Sequence, residues 1–288
     1  MPPRLPPRST GLESTLATRQ FLPRSAKFSV IIAPVIFFSH HPLVSSATFS
    51  RHDGVSEAPY HSRNIGLHVG DDEAQVLRNR ALLKEELGLA RLISAKQVHG
   101  DSILNVDWLP ETDEEHAGHD ALMTNIPELG LMIQQADCQA VMLYDPEHGA
   151  VANIHSGWRG SVANIITKTV AAMAKVYGTR PAALHAAISP SLGPCCGEFI
   201  NYRTELPLAF HAYQTQPNHF DFWAISRDQL RDAGVRGEQI EIAGRCTVCN
   251  ENYFSYRREG VTGRFASVIG IKNSNAETQR RGKNEARK

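Results

Sequence analysis

The sequence predicts an α/β (α+β) protein in which strands and helices form layers. Three helical segments with cap residues alternate along the chain with seven short runs of β-prone, largely apolar residues. One run, 140–144 (AVMLY), is apolar at every position, which is typical of a strand covered on both faces. No repeat with a period of 20 to 50 residues is apparent, so a solenoid is not expected.

The first helix is expected to begin at Asp71–Asp72 and to end before Gly88. Aspartate oxygens accept from the free N–H groups of a helix start, and glycine adopts the left-handed conformation that ends many helices. The apolar residues between these ends share one face: Val76, Leu83 and Leu87.

A second helix is expected to be capped by Ser161 and ended by Gly178. Its apolar stripe consists of Val162, Ile165, Ile166, Val170, Met173 and Val176. A third helix is expected over 221–233, with Gly234 directly after it. The seven expected strands are 103–106, 131–134, 140–144, 150–155, 184–188, 240–243 and 266–271.

Composition and charge narrow the classes of protein to consider. Lys and Arg total 30, as do Asp and Glu, so the formal net charge is zero and no overall field attracts nucleic acid or an anionic membrane. The longest apolar stretch, 28–38, is well short of the ~20 residues that span a bilayer. We therefore expect no nucleic-acid partner and no membrane segment. Nothing after the first residues is typical of a secreted protein, so we expect a cytoplasmic protein.

The two ends of the chain differ from its body. The first 35 residues carry one acid, Glu13, against five bases: Arg4, Arg8, Arg19, Arg24 and Lys27. We expect a disordered basic leader at 1–35, one catalytic domain at 36–272 and a disordered basic tail at 273–288. The leader has two other interpretations, a transit-type peptide and a signal peptide that ends near Ser46–Ala47.

Three segments each place a metal-ligating side chain where an expected strand ends. These ligands are His99, Cys138 and His155. Two imidazoles and one thiolate suit Zn²⁺, and three protein ligands leave a fourth position for water or substrate, as in catalytic zinc sites. Spacing alone is a weak indication, because a histidine at a strand end is usually a satisfied polar residue and a single cysteine often fills a core.

The third segment also combines a strand, a glycine turn and a helix start. Backbone N–H groups at Gly157 and Gly160, together with the Arg159 guanidinium, are suited to phosphate or carboxylate. The alternative is that Trp158 packs in the core and Arg159 pairs with a surface acid.

The chain has five cysteines, an odd number that does not favour a disulfide framework. Cys246 and Cys249 form a C-x-x-C motif that could be a redox pair or half of a zinc site. No second C-x-x-C completes four ligands, so we expect a reduced structural pair. Cys195 and Cys196 are expected to line or support a pocket, since adjacent cysteines rarely bridge without strain.

Five motifs in order resemble the YfiH-type family, whose members are labelled multicopper polyphenol oxidoreductases, laccase-like proteins or purine nucleoside enzymes. The motifs are QVHG at 97–100, ADC at 136–138, HSGWRG at 155–160, SPSLGPCCGEF at 189–199 and FSYRREGVTGRFAS at 254–267. The similarity extends to 50–72 and Asn79-Arg80, and so covers about 36–271. It departs at His52-Asp53-Gly54, Ala140 and Ser156, which puts pocket shape and substrate preference in question.

The resemblance implies a single domain of layered mixed β-sheets flanked by helices. It implies that His99, Cys138 and His155 bind zinc, with copper as a less favoured metal. The implied substrates are a purine nucleoside and phosphate. The implied reactions are phosphorolysis of adenosine, inosine, guanosine or methylthioadenosine to base and ribose 1-phosphate, and deamination of adenosine to inosine.

The candidate catalytic residues are Arg159, Asp137 and Arg51. The candidate phosphate or ribose contacts are Arg51, Gly157, Arg159, Gly160 and Arg257. Asp137 and Asp120 are candidate general acids, and a structural role for either is an equal alternative.

Three other functions compete. Cys138 could be the nucleophile of a hydrolase activated by His99 or His155. Editing of peptidoglycan precursors is also attributed to the family. Copper-dependent polyphenol oxidation is disfavoured, because it uses close His-x-His pairs and the chain has none.

Overall fold

The computed structural model describes residues 33–273, which form two mixed six-stranded sheets and flanking helices. The strands are β1 Val35–Ile36, β2 Val44–Thr48, β3 Arg91–Lys96, β4 Ile103–Val106, β5 Glu114–Ala117, β6 Ala121–Thr124, β7 Leu129–Gln135, β8 Gln139–Asp145, β9 Ala150–Ser156, β10 His185–Ile188, β11 Gln214–Gln216, β12 His219–Phe220, β13 Ile240–Ile242 and β14 Phe265–Ile271. The α-helices are α1 Glu73–Leu87, α2 Trp158–Val162, α3 Ile165–Tyr177, α4 Tyr202–Glu205, α5 Phe222–Asp232 and α6 Tyr256–Glu259. Short 3-10 helices cover Pro181–Ala183, Leu208–Tyr213 and Gly237–Gln239.

Each sheet combines parallel and antiparallel neighbours. The first sheet has the order β1-β2-β14-β7-β3-β5, and the second has the order β13-β10-β8-β9-β6-β4. The parallel pairs are β3 with β5 and β7, β4 with β6, and β10 with β13. The hairpin of β11 and β12 forms a separate two-stranded sheet.

The apolar core is divided among the layers. Leu131 and Ile269 of the first sheet pack with Met142 and Val151 of the second. On its other face, the first sheet packs against Leu83 and Leu87 of α1. The second sheet packs on its other face against α3 and α5, through residues that include Ile166, Val170 and Leu230. The order is therefore helix, sheet, sheet, helices, which confirms the predicted layered α/β fold.

Strands in the middle of these layers are covered on both faces. Every residue of β7, β8, β9 and β14 is buried. This confirms the interpretation of 140–144, which lies within β8. The other six predicted strands are also present, with ends that differ by no more than two residues.

Two predicted helices have the predicted ends. The Asp72 side chain accepts from the Gln75 N–H at the start of α1, and Gly88 ends this helix at φ 66°. The Asp221 side chain caps α5 by accepting from the Ala224 N–H.

The prediction for the second helix was wrong at its start. The segment is two helices, α2 and α3, and Ser161 lies inside α2 instead of capping a helix. Asn164 interrupts the helix at φ 55° and caps α3 by accepting from the Thr167 N–H. Asparagine tolerates this left-handed conformation better than most residues, and so permits the break. Val162 and Val176, expected in the apolar stripe, are exposed.

Several strands were not predicted: β1, β2, β3, β5, β6, β11 and β12. Strand β2 (VSSAT) is polar, yet it is buried because its hydroxyls have partners. The Ser46 hydroxyl donates to the Phe37 carbonyl at 2.7 Å, and Thr48 and Ser267 hydroxyls share a bond at 2.6 Å. Composition alone does not reveal such partners.

The predicted leader and tail lie outside the described residues, apart from 33–35 and Asn273. Val35 belongs to β1, and Ser46–Ala47, the suggested cleavage point, lies inside β2. Among residues 33–273, no helix combines the length and apolar character needed to cross a membrane.

Candidate metal centre and substrate cleft

Three predicted metal ligands meet where strand ends of the two sheets converge. His99 follows β3, and Cys138 lies between β7 and β8. The antiparallel register of β8 and β9 pairs Ala140 with His155, which places this histidine near Cys138. The His99 Nε2 and Cys138 Sγ atoms are 3.9 Å apart, and one ligand atom from each residue lies within 4.8 Å of the other two. The structure therefore brings His99, Cys138 and His155 together, as the sequence predicts.

A buried carboxylate, that of Asp120, holds two of these ligands in position. Asp120 Oδ1 is 2.8 Å from His155 Nδ1, which leaves Nε2 as the free nitrogen of that ring. The carboxylate also accepts the backbone N–H groups of Val98, His99 and Gly100, at 3.2, 2.9 and 2.7 Å. Asp120 is therefore a positioning residue, which agrees with the structural alternative for it and not with a general acid.

The turn after β9 leaves room for the ligands. Gly157 is buried beneath them, and a Cβ atom there would lie 3.1 Å from Cys138 Sγ and 3.1 Å from His99 Cδ2. Such contacts are tighter than side chains normally accept. A residue with a side chain would therefore push the ligands apart.

The cluster favours a thiolate. Burial opposes ionisation of Cys138, but the neighbouring His155 and His99 imidazoles outweigh this effect and lower the pKa of the thiol to about 6. Burial likewise opposes a charge on His155, but Cys138 and Asp120 raise its pKa to about 9. The thiolate is the form of cysteine that binds metals and also the form that acts as a nucleophile.

A cleft of about 910 Å³ opens above the three ligands. Its walls combine aromatic rings with cationic and acidic groups. The aromatic residues of the lining are Trp158, Phe199, Phe222 and Tyr256. The basic residues are Lys96, Arg257 and Arg264, and the acidic residues are Asp137, Glu198 and Glu205. This volume is in the range of pockets that bind small molecules.

The predicted phosphate contacts are divided between the cleft and its surroundings. Gly157 and Arg257 line the cleft. Arg159 is exposed and stacks on Trp158, with its Cζ atom 4.4 Å from a ring centroid, and it does not line the cleft. The helix after the turn, α2, has five residues, and Gly160 is buried inside it. The structure therefore does not bring Arg159 and Gly160 to the cleft.

Arg51 also lies away from the cleft. Its Nη1 is 2.5 Å from Glu259 Oε1, its Nε donates to the His61 carbonyl at 3.1 Å, and its guanidinium covers the Phe254 ring. These contacts join the loop after β2 to α6.

Asp137 lines the cleft, but both carboxylate oxygens have partners. Oδ1 accepts from the Thr247 hydroxyl and Oδ2 from the Arg257 N–H, each at 2.7 Å. The residue has a φ of 89°, which is uncommon outside glycine. These bonds join the ligand loop to the segment that carries Arg257.

Arg264 is a cleft residue that sequence reasoning missed. Its Nη1 donates to the Thr262 and Gly263 carbonyls at 3.1 and 3.0 Å. Burial lowers its pKa, although Cys138 and Asp137 act in the opposite direction. The available signal was its place in the TGR sequence at 262–264, just ahead of the strand predicted at 266–271.

Cys246 and Cys249 are free cysteines, as predicted for a reduced pair, but the expectation that no second cysteine pair joins them was wrong. Cys195 and Cys196 lie beside them, and sulfur atoms of all four lie within 4.8 Å of one another. Sequence spacing did not show this, because about fifty residues separate the two pairs.

Comparison with known proteins agrees with this architecture. A family profile described as "Multi-copper polyphenol oxidoreductase laccase" matches residues 45–272. A "Purine nucleoside phosphorylase" of Bacteroides thetaiotaomicron is 34% identical over 253 residues, which cover 81% of this chain and 93% of the relative. "Purine nucleoside phosphorylase YlmD" of Geobacillus stearothermophilus is 34% identical to this chain, and the alignment covers 77% of this chain and 88% of the relative.

Solved structures show the same fold. The crystal structure of a hypothetical protein YfiH from Bacillus licheniformis superposes with a TM-score of 0.73 at 32% identity, over 80% of this chain and 93% of that one. YlmD from Geobacillus stearothermophilus superposes with a TM-score of 0.72 at 31% identity, over 81% and 93% of the two chains. The profile and these relatives together establish that the chain belongs to the YfiH-type family, described as multi-copper polyphenol oxidoreductase laccase.

Proposed function

We propose that the protein is a zinc-dependent purine nucleoside phosphorylase. The observation that carries this proposal is the convergence of His99, Cys138 and His155 beneath a cleft lined by aromatic rings and arginines. Relatives named purine nucleoside phosphorylase, 34% identical to this chain, support it.

The donor set fits Zn²⁺. Two imidazoles and a thiolate are its usual ligands, the thiol ionises readily, and the buried Asp120 fixes the His155 ring as carboxylates do at many histidine metal sites. Bound Zn²⁺ supplies a Lewis acid with one open position, which can polarise a substrate oxygen or activate water.

Phosphorolysis exchanges the bond between ribose C1′ and the purine nitrogen for a bond from C1′ to a phosphate oxygen. The purine leaves with the bonding electron pair and takes up a proton. In this proposal the flat base lies against the aromatic wall that includes Phe199, since aromatic rings favour stacked partners. Arg257 and Arg264 bind phosphate, because guanidinium groups match its oxygen geometry.

The same cleft is our candidate for deamination of adenosine to inosine. A metal centre with an open position is suited to activating the water that this reaction consumes.

Product analysis tests both activities. Adenosine, inosine, guanosine and methylthioadenosine are each incubated with purified protein, with and without phosphate. Phosphorolysis yields free base and ribose 1-phosphate, or 5-methylthioribose 1-phosphate from methylthioadenosine, only when phosphate is present. Deamination of adenosine yields inosine and ammonia in either case. Cys138→Ala should abolish turnover, and exchange of the exposed His40 for alanine serves as a control. Absence of both product sets would reject the proposal.

Arginine variants test the phosphate site. Arg264→Ala should raise the phosphate concentration needed for half-maximal rate by tenfold or more, since a charge-assisted contact contributes about 1.5–3 kcal/mol. The exposed Arg236→Ala is the control. The opposite result, an effect of Arg159→Ala and none of Arg264→Ala, would contradict the proposed phosphate site. It would show that phosphate binds instead at the glycine turn that carries Arg159.

A second candidate, a hydrolase with Cys138 as nucleophile, is favoured by the lowered pKa of this thiol beside two histidines. The test is treatment with a chelator. Activity that survives zinc removal, with an electrophile covalently bound to Cys138, would support the nucleophile and contradict the zinc enzyme.

A further inference from the structure

Four cysteines form a sulfur cluster outside the cleft. Cys195 and Cys196 lie in the loop after β10, and Cys246 and Cys249 lie between β13 and α6. The Cys249 Sγ atom is 3.6 Å from that of Cys195 and 3.4 Å from that of Cys196. All four sulfur atoms lie within 4.8 Å of one another.

The backbone around this cluster is arranged to bring the two loops together. The Thr247 N–H donates to the Ser191 carbonyl at 3.0 Å, and the Ser191 N–H donates to the Arg245 carbonyl at 3.1 Å. The Gly193 N–H donates to Cys246 Sγ at 3.4 Å, a contact that stabilises a thiolate. A Cβ atom at Gly193 would lie 2.9 Å from Cys246 Cβ, so glycine permits this close approach.

We propose that these four cysteines bind one structural Zn²⁺, separate from the centre at His99, Cys138 and His155. Four sulfur ligands with no open position are characteristic of structural zinc sites. Binding releases the thiol protons to solvent and joins four thiolates to one dication. The proposal does not depend on the reaction proposed for the cleft.

The contacts at Cys249 favour a single metal ion over one disulfide. Cys195 and Cys196 both lie beside Cys249, which could form a disulfide with only one of them. Adjacent cysteines seldom bridge to each other without strain. One ion can accept all four sulfur atoms at once.

This zinc would hold one wall of the cleft. The Cys195–Cys196 loop continues into Glu198 and Phe199, and the Cys246–Cys249 loop leads to Arg257, all of which line the cleft. Arg257 Nη1 donates to the Glu198 carbonyl at 2.9 Å, so the two segments also meet directly. The site therefore positions cleft residues without touching substrate.

Metal analysis of three forms of the full chain, produced with zinc in the medium, tests the proposal. The wild type, Cys138→Ala and the double variant Cys196→Ser/Cys249→Ser are compared by mass spectrometry of total metals. We expect the structural zinc, one per chain, to remain in Cys138→Ala and to be lost from the double variant. The proposal is overturned if Cys138→Ala contains no zinc, or if the retained metal is iron.

A spectroscopic readout covers the case in which the double variant does not fold. X-ray absorption at the zinc edge of Cys138→Ala should show four sulfur neighbours at about 2.3 Å. Nitrogen or oxygen neighbours would contradict the proposal. So would a disulfide between any two of the four cysteines in the unreduced, alkylated wild type.

Discussion

At the candidate metal centre, one carboxylate arranges groups from two parts of the chain. Asp120 directly precedes β6, fixes the His155 ring through Nδ1 and accepts three N–H groups of the loop that carries His99. These bonds hold His99 at φ 61°, a conformation uncommon outside glycine. The geometry of two ligands therefore depends on a residue that would not itself bind the metal.

Asp120→Asn should weaken zinc binding at this centre by roughly 10- to 100-fold, the usual effect of losing such a partner. Asparagine keeps the shape of the side chain but loses its charge and one acceptor oxygen. Competition with a chelator measures the affinity. Asp101→Asn, which changes an exposed aspartate in the loop that carries His99, is the control. Equal affinities for the wild type and Asp120→Asn would show that Asp120 does not orient the ligands.

At the scale of elements, a series of hydrogen bonds between polar side chains joins α1 to the first sheet. Arg80 of α1 donates to Glu115 of β5 at 2.7 Å, and Gln134 of β7 donates to the same carboxylate at 2.9 Å. Gln134 in turn exchanges two 2.9 Å bonds with Gln97 at the cleft. The helix, two strands of the sheet and the edge of the cleft are thus fixed together.

These hydrogen bonds to Glu115 lead us to expect that stability depends on pH. Burial raises the pKa of Glu115, but the charge of Arg80 and hydrogen bonds from Arg80, Ser94 and Gln134 outweigh it, so the pKa is lowered. A carboxyl with a lower pKa in the folded chain stabilises it above the pKa of the unfolded chain. That contribution is lost as the pH falls through the folded pKa.

Glu115→Gln should therefore lower the free energy of unfolding by on the order of 2 kcal/mol near pH 7. The difference from wild type should shrink below about pH 4, where the carboxyl takes up a proton. Urea denaturation across this pH range measures it, with the exposed Glu238→Gln as control. A difference that stays constant down to about pH 3 would contradict the interpretation.

At the scale of the whole molecule, the two sheets are joined by a buried polar contact as well as by apolar packing. Asn153 of β9 in the second sheet donates through Nδ2 to the Leu131 and Ser267 carbonyls of the first, each at 2.9 Å. The side chain is completely buried. These bonds help to set how the sheets are aligned.

Asn153→Ala should lower the free energy of unfolding by about 2–3 kcal/mol, because it removes two hydrogen bonds in a buried site. The zinc content should not change, since the bonds of Asn153 go to the Leu131 and Ser267 carbonyls and not to a predicted metal ligand. Chemical denaturation and metal analysis measure the two quantities, with the exposed Asn125→Ala as control. A loss below about 0.5 kcal/mol, the usual size for surface changes, would show that apolar packing alone aligns the sheets.

Local signals predicted the elements whose causes are local. The ends of α1 and α5 follow from aspartate caps, and β8 follows from its continuous apolar run. The break at Asn164 and the polar strand β2 were not predicted, because each depends on partners distant in sequence or on a tolerated backbone conformation. The site divides in the same way. The sequence predicted that His99, Cys138 and His155 would meet and offered a structural role for Asp120 as one of two alternatives, whereas Arg264 was missed.

The sequence by itself determined the layered α/β class and placed two histidines and a cysteine, all suited to binding a metal, at strand ends. Only the tertiary structure decided which of these groups meet. It brings Cys195–Cys196 to Cys246–Cys249 and places Arg257 and Arg264, but not Arg51 or Arg159, at the cleft. The physical reason is that capping and burial patterns act within a few residues, whereas a metal site or a cleft depends on strand pairing between distant segments.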